Sequence, residues 1–382
     1  MKRIIYLLIT VSILVALAGV FIMTDMGQLM GISKSVIVYY FNNNNWIIFL
    51  SFAALAVAFL LNRKHEVLKM KTFLWIGLLW VVLILSTKFV TPYIMFSATQ
   101  EGAEFVKNSE TKDYLEDDEV VFVIDLNGVQ KAYPRSYIWQ THIVGSDFGD
   151  DEVVMTYCVL ANLPTPFIND INGSKVNFKV LAQTNNNLLI WDRASGEIIQ
   201  QITQTCEFSE NRLDPVPVME MTWGGFKKAY PDGTVFYNQW DSPMEIVLDA
   251  IMPLEENFEP DQWMFKTVNF DDKRFETKDM IIGVADHESD AYLAISKPLL
   301  MKKKHMEVTV GNKNLLVAYF DEFDAIAAFD LEKNGQKVTV EEIDINGMTK
   351  NHGQLERAYV FSSVFWGVWS YYYPQTEVLI QY

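Results

Sequence analysis

Sulfur is scarce in this chain. Two cysteines, Cys158 and Cys206, stand among 382 residues. That is too few for a disulfide framework, and their spacing matches no zinc motif. Histidine is nearly as rare, at five. The chain has no Ser-His-Asp order, no phosphate-cradling glycine loop, no dinucleotide fingerprint and no zinc-protease helix. Positive charge is short as well, and its distribution is uneven. Residues 1–90 hold eight of the 31 basic and two of the 48 acidic groups, so the rest of the chain is strongly negative. Nucleic acid and anionic lipid are poor partners for a globular part of that sign, because both would be repelled.

What the chain has in abundance is apolar sequence, half of all residues. Ile4–Met23 carries no charge and is long enough for a hydrocarbon core of about 30 Å. It is read as a retained helix, because it is longer than a signal-peptide core and no small-residue cleavage site follows. Two more runs, Trp46–Leu61 with an extension back to Phe41 and Phe73–Phe89, complete three spans at about 4–23, 41–61 and 73–90. Trp46, Trp75, Trp80 and Tyr93 are candidate interfacial anchors, with Trp80 placed deep, and Asn42–Asn45 reads as a solvated loop. No ionisable group sits mid-span, so no proton or ion pathway is implied. Lys2, Arg3, Arg63, Lys64, Lys69 and Lys71 mark the N-terminus and the 62–72 loop as cytoplasmic. The expectation is a multi-pass protein of a bacterial inner membrane, with the lipid bilayer as a partner and everything after about residue 92 outside.

The outside part reads as strand-rich and α+β. Residues 92–119 form an acidic linker ending in Glu116-Asp117-Asp118-Glu119, which lacks the spacing of a calcium loop. Val120–Leu126 and Val129–Tyr133 flank Asn127-Gly128, a hairpin signal, and Asn172-Gly173 marks another hairpin. Arg135–Val144 is a short helix or irregular piece containing His142. Val153–Cys158 is an apolar strand running into a loop with Pro164 and Pro166. Asp192–Gly196 is a tight turn. Thr222–Tyr230 has helical spacing with Trp223 and Phe226 on one face.

The second half resembles the first. Gly283–Tyr292 parallels Val123–Tyr133, Asn314–Phe320 parallels Glu152–Cys158, and Asn334-Gly335 parallels Asn172-Gly173. Trp366–Leu379 parallels Trp223–Phe236, with Trp, Gly, Tyr-Pro and Thr in register. The expected organisation is a membrane anchor at 1–91, a linker at 92–119, a first repeat at 120–240, a connector at 241–279 and a degenerate second repeat at 280–382. The two copies would share an apolar core. Phe320 stands where the first copy has Cys158.

Several short motifs occur in order: Ala132-Tyr133-Pro134, His142-x-Val144, Thr156-Tyr157-Cys158, Asp192-Arg193 with Gly196, Gln201 with Thr203, Pro215-x-Pro217, Thr222-Trp223, Pro231 with Thr234, and Asp271-Asp272-x-Arg274. Together with Trp366 and Pro374-x-Thr376, this series resembles the bacterial domain-of-unknown-function family three-one-seven-nine, some of whose members are selenoproteins, over about residues 119–382. The resemblance implies a site at Thr156-Tyr157-Cys158 and no particular reaction. Family members commonly carry a second cysteine three residues on, followed by glycine. This chain has Ala161 and Asn162, so a dithiol centre within the motif is excluded.

Cys158 is the leading candidate for chemistry, with Tyr157 beside it. A reactive thiolate needs a neighbouring cation, a histidine or a helix N-terminus. His142, Arg135 and Arg193 are the candidates, with Asp192 able to pair with Arg193. His142 could serve as base or ligand, or be a satisfied structural histidine. A Cys158–Cys206 disulfide would contribute about 4 kcal/mol if geometry allowed it. Two readings stand: a membrane-anchored protein with a redox or metal-linked thiol at Cys158, and a non-catalytic ligand-binding or membrane-assembly module in which that thiol is structural. No cofactor is firmly implied.

Overall fold

A computed structural model describes residues 1–96, 98–111, 115–238, 271–333 and 335–380, with isolated residues and short pieces between 239 and 270. Most of the expected connector at 241–279, Asn334 of the second Asn-Gly turn and the side chain of Tyr93 lie outside the described residues.

Three long helices open the chain. They are α1 (Lys2–Ile22), α3 (Lys34–His65) and α4 (Met70–Phe89), with the one-turn α2 (Met26–Leu29) and α5 (Pro92–Met95) at their ends. All three are long and apolar enough to cross a membrane. Their outer faces carry Leu7, Leu50, Leu60 and Trp75, each more than 60% exposed, a surface that only lipid or another helix would cover without cost. Inside, Ser12 Oγ donates to the Ser51 carbonyl at 2.8 Å, and Trp80 Nε1 donates to Ser51 Oγ at 2.8 Å. Trp80 is thus a link between helices. The helices alternate in direction, so Lys2-Arg3 and the 62–72 turn share one end of the bundle. Asn62 closes that turn by accepting from the Leu68 amide at 2.8 Å.

The Asn42–Asn45 run is not a loop. Helix α3 continues through it for 32 residues, a length of about 48 Å that exceeds the hydrocarbon core. The asparagines are satisfied locally: Asn43 donates to the Tyr39 carbonyl at 2.9 Å, and Asn44 accepts from Lys88 on α4. The extra turns of α3 reach into the strand-rich domain.

That domain is built from β1 (Phe105–Lys107), β2 (Val120–Leu126), β3 (Val129–Pro134), α6 (Arg135–Thr141), β4 (Ile143–Phe148), β5 (Asp151–Cys158), β6 (Leu163–Ile168), β7 (Phe178–Thr184), β8 (Asn187–Asp192), β9 (Ile198–Gln200), β10 (Thr205–Cys206), β11 (Met219–Thr222), α7 (Trp223–Ala229) and β12 (Thr234–Phe236). The second half continues with β13 (Met280–Asp286), β14 (Ala291–Ser296), α8 (Lys297–Lys303), β15 (His305–Val310), β16 (Lys313–Phe320) and β17 (Ala325–Asp330). Two short ribbons follow, β18 (Glu332–Lys333) with β19 (Gln336–Lys337) and β20 (Met348–Thr349) with β21 (Gly353–Gln354). The chain ends on β22 (Phe361–Phe365), α9 (Trp366–Tyr372) and β23 (Glu377–Leu379).

Asn127 and Gly128 both take positive φ, 54° and 75°, and the β2–β3 hairpin forms as their pairing signal requires. Around Asn172-Gly173 only a single bridge, Ile171 to Ser174, closes. The expected hairpin fails there because β6 joins β5 while β7 joins β8, in different sheets. The 97–119 stretch is threaded into the domain: Thr99 bridges Val144, and β1 pairs with β12 at the edge of the large sheet.

The strand order interleaves the two halves. The large sheet runs β1-β12-β3-β2-β11-β17-β16-β15, so three strands of the second half extend the first half's sheet. The junction is the pairing of Glu220 on β11 with Ile326 on β17. On the other side, β22-β13-β14-β23 lies beside β4-β5-β6, where the Phe365 amide donates to the Ala161 carbonyl at 3.1 Å. One core cluster accordingly holds Cys158 and Phe167 together with Phe361, Trp366 and Trp369. A fourth sheet, β10-β9-β8-β7, turns its outer face to the helices. There Leu181, Ala182, Leu189 and Ile198 pack against Met23, Ile37, Val38 and Tyr40.

Close helix approach depends on Gly19, where an added Cβ would lie 2.1 Å from the Tyr40 hydroxyl oxygen. At Gly77 on α4 nothing lies within 4 Å. Gly19→Ile should destabilise the detergent-solubilised protein by about 1–3 kcal/mol, read as a lower melting temperature, through overpacking. Gly77→Ile should leave the melting temperature nearly unchanged.

Candidate functional site

Strand β5 ends in the middle of the domain, and its alternation sends Cys158 and Tyr157 to opposite faces. Cys158 is fully buried. Its Sγ lies 3.5 Å from the Asn186 carbonyl and 3.7 Å from Gln183 Oε1, both acceptors. Asn185 and Asn186 form the two-residue β7–β8 turn at positive φ, 47° and 57°, and so aim that carbonyl at the sulfur. Behind it stands a ring of amides. Asn187 donates to Gln201 Oε1 at 3.0 Å, Gln200 donates to Asn187 Oδ1 at 2.7 Å, and Gln201 donates to Thr156 Oγ1 at 3.0 Å. The Asn186 amide in turn donates to Gln28 Oε1 of α2 at 2.9 Å. The thiol therefore sits in a neutral, acceptor-rich pocket that reaches the helix ends. Burial pushes its pKa up to about 12, with a smaller push from Asp25 that opposes the lowering by the backbone of Ala161, Leu188 and Leu160.

His142 caps the end of α6 at φ 59°, and its carbonyl accepts the Tyr157 amide at 2.7 Å. The ring is buried and stacked on Phe96 with centroids 4.4 Å apart. Its Nδ1 meets the Gln140 carbonyl at 3.0 Å, and Nε2 has no hydrogen-bond partner among the described residues. Burial takes its pKa down to about 4, against a raising contact with Gln140. The imidazole is neutral at physiological pH and supplies no cation to a thiolate.

The turn residues Asp192 and Arg193 do not join this centre. Asp192 pairs with Phe178 at the far end of the β7–β8 hairpin from Asn187, about 15–20 Å along the strand. Its carboxylate accepts from the amides of Asn177 at 2.7 Å, Ala194 at 3.1 Å and Ser195 at 3.0 Å, the signature of a turn cap. No ion pair joins it to Arg193 among the described residues. Arg193 instead lies over the Trp191 ring at 5.8 Å. Cys158 and Cys206 are both free thiols. Among the described residues no group of three His, Cys, Asp or Glu side chains is placed to hold a metal.

On the other face of β5, Tyr157 donates to Asn162 Oδ1 at 2.8 Å, and Asn162 Nδ2 donates to the Ser363 carbonyl at 2.8 Å. This leads to a centre that inspection of cysteines and histidines misses. Glu220 is buried where the two halves meet. Its Oε1 takes Lys297 Nζ at 2.6 Å and Ser363 Oγ at 2.8 Å, and Lys297 also donates to Ser363 Oγ at 2.9 Å. Glu220 Oε2 has no partner among the described residues. Burial raises the Glu220 pKa, but Lys297, Ser363 and Arg135 together hold it below the usual carboxylate range. The signal for it in the sequence was a lone acid inside an apolar strand, Met219-Glu220-Met221.

A cleft of about 610 Å³ opens where the strand-rich domain meets the start of α3, with Lys34, Thr184, Gln200, Arg212 and Tyr372 in its walls.

These observations define a class: three apolar helices that carry a strand-rich α+β domain built of interleaved halves. The chain belongs to the family described as Protein of unknown function (DUF3179), whose model matches residues 99–376. The match begins at the residue that bridges Val144, where the chain enters the domain, and the long helices precede it. Comparison with curated proteins and with solved structures found no match.

Removing one partner of a buried ion pair strands the other charge. Glu220→Gln should cost toward the lower end of about 3–5 kcal/mol at pH 7, because Lys297 keeps some exposure. The loss should be smaller in the Glu220→Gln/Lys297→Met double variant than the two single losses added. A carboxylate with a depressed folded pKa stabilises above its unfolded pKa and loses that contribution as pH falls through the folded value. The penalty of Glu220→Gln, measured by denaturant titration, should therefore shrink on acidification below the usual carboxylate range.

Proposed function

We propose that this protein is a membrane-anchored, extracytoplasmic binding module whose domain arose by duplication and whose Cys158 is structural. The observation that carries the reading is the setting of Cys158: full burial, two acceptors against the sulfur, and a pKa pushed up to about 12. Redox or metal-linked chemistry would need a thiolate, and a thiolate facing two acceptors is disfavoured. Its only nearby histidine along the chain, His142, is neutral by the same burial.

Orientation is supported by charge. Lys2, Arg3, Arg63, Lys64, Lys69 and Lys71 all gather at the end of the bundle remote from the strand-rich domain. The positive-inside rule then places that end in the cytoplasm and residues after about 92 outside the inner membrane.

Duplication is supported by detail below the level of element order. The series β2-β3-α6-β4-β5-β6 recurs as β13-β14-α8-β15-β16-β17, and β11-α7-β12 recurs as β22-α9-β23. His142 and Lys304 occupy the same cap at φ 59° and 68°, and each carbonyl accepts the amide of the matching tyrosine, Tyr157 or Tyr319. Those tyrosines bond Asn162 and Asp324 at 2.8 and 2.7 Å. The first pair is buried and the second half-exposed. A first repeat at 120–240 and a degenerate second one at 280–382 follow, with Arg135, Cys158, Asn162 and Glu220 of the first matched by Lys297, Phe320, Asp324 and Ser363 of the second.

With its pKa pushed up to about 12, Cys158 carries roughly a thousandfold less thiolate than an unperturbed thiol near neutral pH. In a Cys206→Ser background, alkylation of Cys158 should be undetectable until denaturant is added. Reaction faster than that of free cysteine at pH 7.5 would sink the structural reading. Orientation is checked separately with Ser174→Cys, an exposed site, in a chain lacking both native cysteines. A membrane-impermeant maleimide should label it in right-side-out spheroplasts, and protection there would reverse the topology.

A further inference from the structure

We propose that the cleft between the strand-rich domain and the start of α3 binds the phosphate-bearing headgroup of an anionic lipid. The inference rests on the reading of this chain as a membrane-anchored binding module and names the ligand class.

Charge is the first argument. Residues 91–382 are strongly acidic, yet the fourteen residues that line this cleft include no Asp or Glu. They include two cations, Lys34 and Arg212, and the ring of His287, whose pKa burial takes down to about 4, so that it offers a neutral nitrogen. A concave site with cationic groups on low-dielectric walls concentrates anions, even on a protein of opposite net charge. Lys34 is already paired with Glu207 at 2.7 Å, outside the lining, so it contributes less than a full charge. Arg212 gives one N–H to the Thr203 carbonyl and is otherwise exposed, which leaves guanidinium donors for a phosphate. His287 Nε2 is buried with no hydrogen-bond partner among the described residues. A buried ring nitrogen of that kind is costly unless something bonds it.

Rigidity is the second argument. Tyr372 donates to the Thr184 carbonyl at 2.8 Å and Tyr373 to the Ile202 carbonyl at 2.7 Å. Thr184, Gln200, Thr203 and Thr205 add neutral hydrogen-bonding side chains between the cations. A volume of about 610 Å³ lies within the usual range for small-ligand sites.

Height in the membrane is the third argument, and it selects a lipid over a dissolved phosphate. Lys34 begins α3, and Tyr40, about 9 Å further along the helix, packs on Gly19 near the end of α1. The cleft therefore stands at the level where apolar helix gives way to headgroups. Tyr371, at its edge, is 47% exposed, and Phe208, next to the Lys34 partner Glu207, is 52% exposed. Exposed aromatics of this kind suit the membrane–water interface.

The test uses the full chain in neutral detergent, with phosphatidylglycerol, phosphatidylcholine and inorganic phosphate as probes. Native mass spectrometry should show phosphatidylglycerol retained over phosphatidylcholine, and the melting temperature should rise with phosphatidylglycerol alone. Arg212→Gln combined with His287→Ala should weaken retention at least tenfold, and Arg212→Gln by itself severalfold. Arg193→Gln, an exposed cation at the distant turn, should match wild type. Retention equal for the two lipids, or unaffected by the Arg212 and His287 variants, would overturn the proposal. Stabilisation by inorganic phosphate without any lipid preference would overturn the lipid source and assign the site to a soluble phosphate. Because Cys158 alkylation is read independently, a fast-reacting thiol would overturn the structural-thiol reading without touching lipid retention. An inert thiol with no lipid preference would overturn only this inference.

Discussion

Glu220 sits on a seam between the two halves of the strand-rich domain. It lies on β11, at the single residue pair that joins β11 to β17, and it bonds Lys297 and Ser363, both from the second half. A carboxylate buried without that cation would cost several kcal/mol. An apolar pairing across this seam tolerates slippage, whereas an ion pair with a serine between its partners defines a register. In the interleaved order of the large sheet, α8 brings Lys297 to Glu220. The neighbouring contact, Asn162 to the Ser363 carbonyl, ties the loop after Cys158 to the same point.

This constraint explains why the two faces of β5 behave so differently. Tyr157 faces the charged seam and Cys158 faces the amides of the β7–β8 turn. One strand therefore separates a charged polar centre from a neutral one, and the thiol feels little of the cationic field that would activate it. In the second half, β16 ends on Tyr319 and Phe320, both partly exposed.

Much of this architecture is legible in residue patterns, and the failures have physical reasons. Three apolar runs announce helices because no water-exposed fold hides twenty uncharged residues so cheaply. Asn127-Gly128 announces a hairpin because both residues accept positive φ. Asn172-Gly173 carries the same local signal, but which sheet each flanking strand joins is decided by long-range packing. The Asn42–Asn45 run looks like a loop by polarity. It is helical because α3 is longer than a hydrocarbon core requires and its asparagines find partners on the helix and on Lys88. Asp192-Arg193 looks like a pair by adjacency, but a carboxylate that accepts three amides in its own turn has no need of the arginine. Glu220 escaped notice because a search for chemistry by cysteine and histidine passes over a single acid in a strand. Its meaning depends on Lys297, 77 residues away.

The pocket around Cys158 is also the point where the helices and the domain are joined by polar contacts. Gln28 on α2 accepts the Asn186 amide, and the next carbonyl along that turn is the one against the sulfur. Asp25, three residues before Gln28, is half-buried with its Oδ1 shielded from solvent, and desolvation raises its pKa to about 7. Desolvation of this kind disfavours the charged form of the carboxyl. Deprotonation would place a charge within electrostatic reach of the thiol. Cys158 suits that position better than serine or alanine for a physical reason. A thiol fills an apolar wall, donates weakly to two carbonyl-type acceptors and desolvates at low cost. A hydroxyl would demand a shorter, stronger bond than 3.5 Å provides, and alanine would leave both acceptors facing a void. A small, weakly polar side chain thus fits the geometry of the junction at Cys158.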